Sequence, residues 1–247
     1  MRKISVVNYK GGTGKTCTVV NLAHGLALRG KRVLIVDTDP QGSAGYHLGI
    51  TPKTTLYDVL LNKIPVEDCI VQAREGVDMI CSNEHLFPAE IALAKVPNRE
   101  HILTQRLSKL TQYDFIIADC APSMNLMNQN ALVFSEEVFL PVSMEYLSLV
   151  GVKQLLKNIK IVNKIFKKQV EITKVIPTFY DKRNKKSYHV LQSLQRVFPN
   201  QVSVPIRVSV GLSEAAGARK TIFEYDPHST GAEDYYSLIE EVLADGK

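Results

Sequence analysis

Short apolar runs alternate with amphipathic stretches along most of the chain. ISVVN (4–8), RVLIVD (32–37), VDMIC (77–81), DFIIAD (114–119), EVFLPV (137–142) and EITKVIPTF (171–179) are rich in β-branched and aliphatic residues. They have strand length, and most are followed by charged or turn-forming residues. Between them, helical spacing of apolar positions predicts helices over 15–28, TLYDVLL (55–61), 101–110, 124–134, 147–168, 187–197 and 231–244, with Gly30 closing the first. A proline-containing stretch at 202–206 reads as extended. Strands that are apolar throughout, rather than alternating, are buried on both faces. Interleaved with helices, they predict an α/β fold with a doubly wound, mostly parallel sheet and helices on both faces. No repeat, low-complexity tract or linker interrupts the 247 residues, so one domain is expected over 1–247.

Composition narrows the class without changing that picture. At 45% hydrophobic and 22% charged residues the chain is globular rather than disordered. No apolar run reaches the ~18 residues of a membrane span, and the first apolar run, about five residues, is too short for a signal-peptide core. The four cysteines (Cys17, Cys69, Cys81, Cys120) are far apart and show no metal-binding spacing. That pattern suits a reduced, cytoplasmic protein, with Cys120 as a packing residue.

Charge is placed unevenly. Residues 152–196 hold twelve Lys and Arg against only Glu171 and Asp181, a local net charge of +10 in a chain of +5, which leaves −5 elsewhere. Lys153, Lys157, Lys160, Lys164 and Lys168 recur at helical spacing, while Leu155, Leu156, Ile159, Val162, Ile165 and Phe166 form the face expected to dock on a core. A second cluster, Lys182, Arg183, Lys185 and Lys186, follows the 171–179 strand. A one-sided field of this kind favours a polyanion, and with few aromatics nearby it suits phosphate contact without reading of bases.

The chemistry centres on Lys10-Gly11-Gly12-Thr13-Gly14-Lys15-Thr16, set between the first strand and the first helix. Glycines there let backbone N–H groups converge on phosphate at a helix N-terminus; Lys15 would meet the outer phosphates and the Thr16 hydroxyl a magnesium ion. The strict loop pattern has glycine where Tyr9 stands, so this is a variant, yet a chance match is on the order of 10⁻⁴. Gly11, Gly12, Thr13, Gly14, Lys15, Thr16 and Cys17 form the candidate nucleotide-binding set. Asp119, closing DFIIAD, is the candidate magnesium carboxylate, acting directly or through water. Asp37 and Asp39 follow the second strand: Asp39 is the candidate for orienting the attacking water, and Asp37 for support near the metal.

The segments KGGTGKT, VDTDPQGSAG, FIIADCAPS and LPVSMEYLSLVGVKQL, in this order, resemble the ParA/Soj-type partition ATPases, as does the tail GLSEAAGARKTIFEYDPHSTGAEDYYSLIEEV. These are deviant Walker A P-loop ATPases, a group shared with MinD and the nitrogenase iron protein. The resemblance implies ATP and Mg²⁺ as cofactors, slow hydrolysis, and an ATP-sandwiched homodimer. In it Lys10 would reach the partner subunit's phosphates and Gly11 would pack at the dimer contact. It also implies Asp39 as the acid needed for hydrolysis, Asp119 as the Walker B acid, and a dimer that binds double-stranded DNA non-specifically on the bacterial nucleoid. A ParB-like centromere-binding protein would stimulate hydrolysis and release the DNA.

Three departures from the family pattern bear on this. Arg207-Val208-Ser209-Val210-Gly211 stands where relatives carry Pro-Arg-Asn-Val-Arg, a segment that frames the adenine; Arg207 and Ser209 are the candidate base contacts there. Gly211 replaces an arginine expected to touch DNA, which shifts that role to Lys182, Arg183, Lys185 and Lys186, with Lys153, Lys157, Lys160 and Lys164 on the preceding helix. Ala121 replaces a proline and is expected to loosen its loop. The acidic tail AEDYYSLIEEVLADGK lacks the basic amphipathic helix by which MinD-type proteins grip membranes. No cluster-ligating cysteine pattern is present, and the specific operator binding that larger partition ATPases make through a helix-turn-helix region ahead of the first strand is not expected. A MinD-like or other cargo-positioning scaffold ATPase that does not bind DNA is the alternative.

Overall fold

The protein is described by a computed structural model that covers residues 1–61 and 63–245. In chain order its elements are β1 (Arg2–Val6), α1 (Lys15–Ala27), β2 (Val33–Asp37), α2 (Ser43–Leu48), α3 (Leu56–Leu60), β3 (Ile70–Arg74), β4 (Val77–Ile80) and α4 (Leu86–Leu93). Then follow α5 (Ile102–Leu107), β5 (Phe115–Asp119), α6 (Leu126–Phe134), β6 (Glu137–Ser143), α7 (Ser148–Phe166), β7 (Glu171–Thr178), α8 (Lys185–Val197), α9 (Val210–Gly217), α10 (Ile222–Tyr225) and α11 (Thr230–Ala244). One seven-stranded sheet runs through the chain in the order β3-β4-β2-β5-β1-β6-β7. All neighbours are parallel except the β3–β4 hairpin at one edge.

The central strands β2 and β5 are buried at every residue, which is why they read as unbroken apolar runs. One face of the sheet packs on α1 and α11 through Leu22, Leu26, Leu238 and Ile239. On the other face, α3, α5 and α6 cover β2 and β5 through Leu56, Leu103 and Met127, while α7 and α8 cover β6 and β7. Strand register sets where the loops emerge. Val6 pairs with Asp119 and Asp37 pairs with Asp119, so the carboxyl ends of β1, β5 and β2 lie level with one another. In such sheets that edge carries the ligand site.

The sheet and its helices match the architecture expected from the apolar pattern, with local differences. β1 spans 2–6 rather than 4–8: the Asn8 side chain turns to donate to the Pro141 carbonyl, and the chain leaves the ladder for the loop. β3 was not expected. It is a half-exposed edge strand with weak alternation, joined to β4 across Glu75 and Gly76, the latter at φ +73. The short helices α2, α4, α9 and α10 were likewise absent from the periodicity, because few turns leave little pattern to see. The 202–206 stretch does not join the sheet as a strand. It runs beside β7 with a single bridge, Val175 to Val202, and a few backbone bonds such as Ile206 N–H to the Pro177 carbonyl. On α7, Ile165 faces solvent at 63% exposure instead of docking; it sits one turn beyond half-exposed Ile161, so both lie on the lysine side of the helix.

Candidate functional site

The loop between β1 and α1 is tied down at several points. The Asn8 carboxamide oxygen accepts from the Lys10 amide (3.0 Å), and the Thr178 hydroxyl at the end of β7 donates to the Thr13 carbonyl (2.9 Å). Gly12 and Gly14 take left-handed backbone (φ +66 and +84), whereas Gly11 does not, and Gly11 and Gly12 are exposed. Gly14 leads directly into α1, whose first residue is Lys15, so free amides at the helix start face the loop's concavity.

Lys15 is buried, and its ammonium donates to the Lys10 carbonyl at 3.2 Å. Burial lowers its pKa, opposed by the carboxylate of Asp119, the Cys120 thiol and the carboxylate of Asp39. The Lys10 ammonium, half-buried at the mouth, donates to the Ser148 hydroxyl (3.2 Å) at the start of α7. The two lysines are thus brought to one loop with different partners, one facing inward and one toward the rim.

The carboxylates divide in a similar way. Asp119 is fully buried; one oxygen accepts from the Thr16 hydroxyl at 2.7 Å, and the other is buried with no partner among the described residues. Burial lifts its pKa to about 7, against the pull of Thr16 and Lys15. A buried hydroxyl–carboxylate pair with an unpartnered oxygen fits a hard divalent cation. Among the described residues no group of three or more His, Cys, Asp or Glu could hold a metal alone, so phosphate oxygens would have to complete such a shell. Asp37 is also fully buried, but both its oxygens accept backbone amides, from Asp39 (3.0 Å) and Ala44 (3.2 Å). Burial and the neighbouring Asp119 push its pKa well up. It therefore holds the 38–44 loop in place rather than offering a free oxygen to a metal. Asp39 is half-buried; one of its oxygens accepts the Gln41 amide and the other has no hydrogen bond among the described residues.

Beside the loop lies a cavity of about 410 Å³ with largely apolar walls, lined by Gly14, Thr16, Cys17, Phe179, Ile206, Arg207, Ser209, Leu212 and Tyr235, among others. It is continuous with the phosphate loop through Gly14 and Thr16 and large enough for a nucleoside. Cys17 lines it, with its thiol hydrogen-bonded to Tyr235 and Asn21 and its pKa raised by burial. Arg207 borders it, but its guanidinium is held by Asp234 (2.7 Å) and Glu233 (3.0 Å) of α11. Ser209 precedes α9, and its side chain caps no helix amide. Ala121 is buried, and its carbonyl accepts from the Asn128 side chain (2.7 Å), which holds the loop that the missing proline was expected to loosen. The sequence pattern did not point to Thr178, Phe179, Leu212 or Tyr235. The first two close the expected 171–179 strand, and the rule that parallel strands carry ligands at their carboxyl ends could have flagged them.

The basic residues fall into two sets. Lys182 and Lys185 are exposed and form no ion pair among the described residues; Arg183 pairs with Asp181 (2.9 Å), holding that carboxyl at about 2, and Lys186 pairs with Glu145 (2.5 Å). Lys153, Lys157, Lys160 and Lys164 are exposed along α7, likewise without ion pairs among the described residues. No helix among the described residues is long and apolar enough to cross a membrane.

Known proteins bear on this geometry. A family model described as an AAA domain matches residues 1–172. The sporulation initiation inhibitor protein Soj of Bacillus subtilis is 41% identical, the match covering 98% of each chain. The chromosome partitioning protein ParA of Caulobacter vibrioides is 35% identical over 99% of this chain and 94% of its own. Among solved structures, cobyrinic acid a,c-diamide synthase from Mycobacterium smegmatis, with bound ATP analogue and magnesium, superposes with a TM-score of 0.85 at 30% identity. That match covers 100% of this chain and 97% of the other. A variant phosphate loop at the end of β1, a Thr16–Asp119 pair beside it and full-length similarity at this level place the chain in the family of the ParA and Soj chromosome-partitioning ATPases.

Proposed function

We propose that this protein is a DNA-partition ATPase that binds ATP with Mg²⁺, dimerises face to face through the phosphate loop, and then binds double-stranded DNA without sequence preference. The observation that carries the proposal is the nearness of the two sites: Thr178 is hydrogen-bonded to the phosphate loop, and the exposed cations Lys182 and Lys185 begin four residues later. Relatives named as partitioning proteins, and a structural neighbour holding an ATP analogue with magnesium, support the reading.

In this reading Lys15 leaves the Lys10 carbonyl to meet the outer phosphates, and the amides of 11–16 cradle them. Thr16 and Asp119 would hold the magnesium ion, which when bound neutralises phosphate charge. Asp39, with a free oxygen at the rim, orients the attacking water, and Asp37 keeps Asp39 in place through its amide. Lys10, exposed enough to swing off Ser148, reaches across to the second copy's phosphates. Cys17, Arg207 and Ser209 line the nucleoside cavity, with Ser209 free to meet the base and Arg207 setting the wall through Asp234. Turnover is slow until a ParB-like partner acts, which suits a protein that works on the nucleoid in the cytoplasm.

The test is binding to a random duplex without nucleotide, with ADP and with ATP, at two salt concentrations, using Asp39→Ala to block hydrolysis. Binding only with ATP, falling steeply with salt, supports the proposal. Asp39→Ala should retain ATP and DNA binding and lose turnover; hydrolysis at the wild-type rate would remove Asp39 from its role. Gly211, where relatives carry arginine, favours a second reading in which the nucleotide switches a cargo-positioning scaffold that ignores DNA. Absence of duplex binding in all three states would select it.

A further inference from the structure

We propose that Phe179 is a positioning residue that couples filling of the nucleoside cavity to the stance of the basic segment 181–186. The inference rests on the nucleotide reading above and extends it to how occupancy would be felt elsewhere.

Phe179 follows the last residue of β7, and its backbone lies at φ +55, a left-handed conformation that a bulky aromatic residue rarely takes. Its neighbours hold it there. On one side the Thr178 hydroxyl donates to the Thr13 carbonyl (2.9 Å), and the Met144 amide donates to the Thr178 carbonyl (3.2 Å). On the other side the Tyr180 amide donates to the Ile206 carbonyl (3.1 Å), and the Val208 amide donates to the Tyr180 carbonyl (3.0 Å). Both flanks are pinned, so the unfavourable backbone falls on the residue between them.

The ring does not offset this strain by entering the core: Phe179 is 50% exposed. It forms a partition instead. On one side it lines the nucleoside cavity; on the other it lines a depression of about 500 Å³ with Lys10, Gly12 and Lys186. Its edge stands 4.0 Å from where a Cβ on Gly14 would lie, close against the phosphate loop.

Downstream the chain is locally rigid. Asp181 accepts from both the backbone amide and the guanidinium of Arg183, and the Asn184 side chain accepts from the Lys186 amide as α8 begins. Lys186 in turn reaches Glu145. Residues 181–186 are therefore tied to one another, and Tyr180 is the link that joins them to Phe179. A ligand that fills the nucleoside cavity meets the Phe179 ring, and displacement of the ring about a strained backbone shifts that unit. Glycine at this position would accept the same φ without strain and present no ring.

Trypsin reads the segment directly, because Lys182, Arg183 and Lys185 are exposed. ADP fills the cavity without the terminal phosphate, so the experiment compares cleavage at 182–186 with and without saturating ADP, with ADP binding measured separately by calorimetry. Wild type should change its cleavage rate by about threefold or more, and Phe179→Gly, compared at the higher ADP concentration that calorimetry shows to saturate it, by less than about 1.5-fold. A wild-type protein that binds ADP with no change in cleavage, or a Phe179→Gly variant that keeps the full change, overturns the coupling while leaving the nucleotide reading intact. Failure of wild type to bind either ADP or ATP overturns both. Should the glycine variant not fold, Phe179→Trp serves, since the chain contains no tryptophan. Its emission should shift along the calorimetric ADP isotherm, and unchanged emission at saturation refutes the proposal.

Discussion

The three glycines of the phosphate loop give a prediction in which stability and assembly separate. Gly12 and Gly14 lie at φ +66 and +84, where an added Cβ strains the backbone whatever space surrounds it. Each Gly→Ala change there should destabilise the nucleotide-free monomer by about 1–2 kcal/mol. A Cβ on Gly14 would also touch Thr178 Cγ2 at 3.5 Å, an ordinary contact that adds little. Gly11 differs on both counts: its backbone is not left-handed, and a Cβ would meet nothing within 4 Å. Gly11→Ala should therefore leave the monomer unchanged or stabilise it by about 0.4–1 kcal/mol, by restricting the unfolded chain. Gly11→Val should be similarly tolerated, yet it should abolish ATP-dependent dimerisation if this surface packs against a second copy. Urea unfolding without nucleotide measures the first effect; sedimentation velocity with ATP, in an Asp39→Ala background, measures the second. A Gly11→Ala loss of about 1 kcal/mol or more would refute the loop geometry. A Gly11→Val protein that dimerises like its parent would refute the proposed contact.

The double variant Lys182→Ala/Lys185→Ala should reduce the slope of log K against log salt for duplex binding by about 1.8, at ~0.9 per lost phosphate contact, equally for every sequence; an unchanged slope removes these cations from the interface. Burial lifts the Asp119 carboxyl to about 7, well above its ordinary value. Its protonation thus favours the nucleotide-free fold below about pH 4, and the benefit is lost as pH rises through 7, by a few kcal/mol at ~1.4 per unit. Thermal denaturation at pH 5 and pH 8 should show this fall in wild type and a smaller one in Asp119→Asn; equal falls would count against the buried carboxylate as its source. Gly211 sits in α9, with only ordinary contacts, 3.6 Å to Ile222 and Ser209, awaiting a Cβ. Gly211→Arg should fold and tighten duplex binding several-fold, with a slope steeper by ~0.9; anisotropy titration at two salt concentrations checks both.

What the sequence determined by itself is local in its physics. Runs such as VLIVD and FIIAD are apolar throughout because both faces of a central parallel strand are covered, so they declare strand and environment together. KGGTGKT declares its loop because the backbone near a phosphate has few alternatives to glycine, and the basic excess of 152–196 is a matter of counting. The tertiary structure decided everything that depends on which distant residues meet. Asp37 and Asp39 look alike in the chain, yet pairing of β2 with β5 buries one and leaves the other at the rim. Nothing in the chain's local pattern ties Arg207 to Asp234, yet α11 brings that carboxylate to within 2.7 Å of its guanidinium at the cavity wall. Ile165 fits the docking stripe of α7 by spacing, but the placement of that helix on the sheet turns it to water. The cavity beside the phosphate loop gathers its walls from α1, α2, the end of β7, α9 and α11, segments more than 200 residues apart at the extremes, as Cys17 and Tyr235 are. Periodicity reports a residue's own element and its exposure pattern; a cavity wall is a relation between elements, and only their packing fixes it.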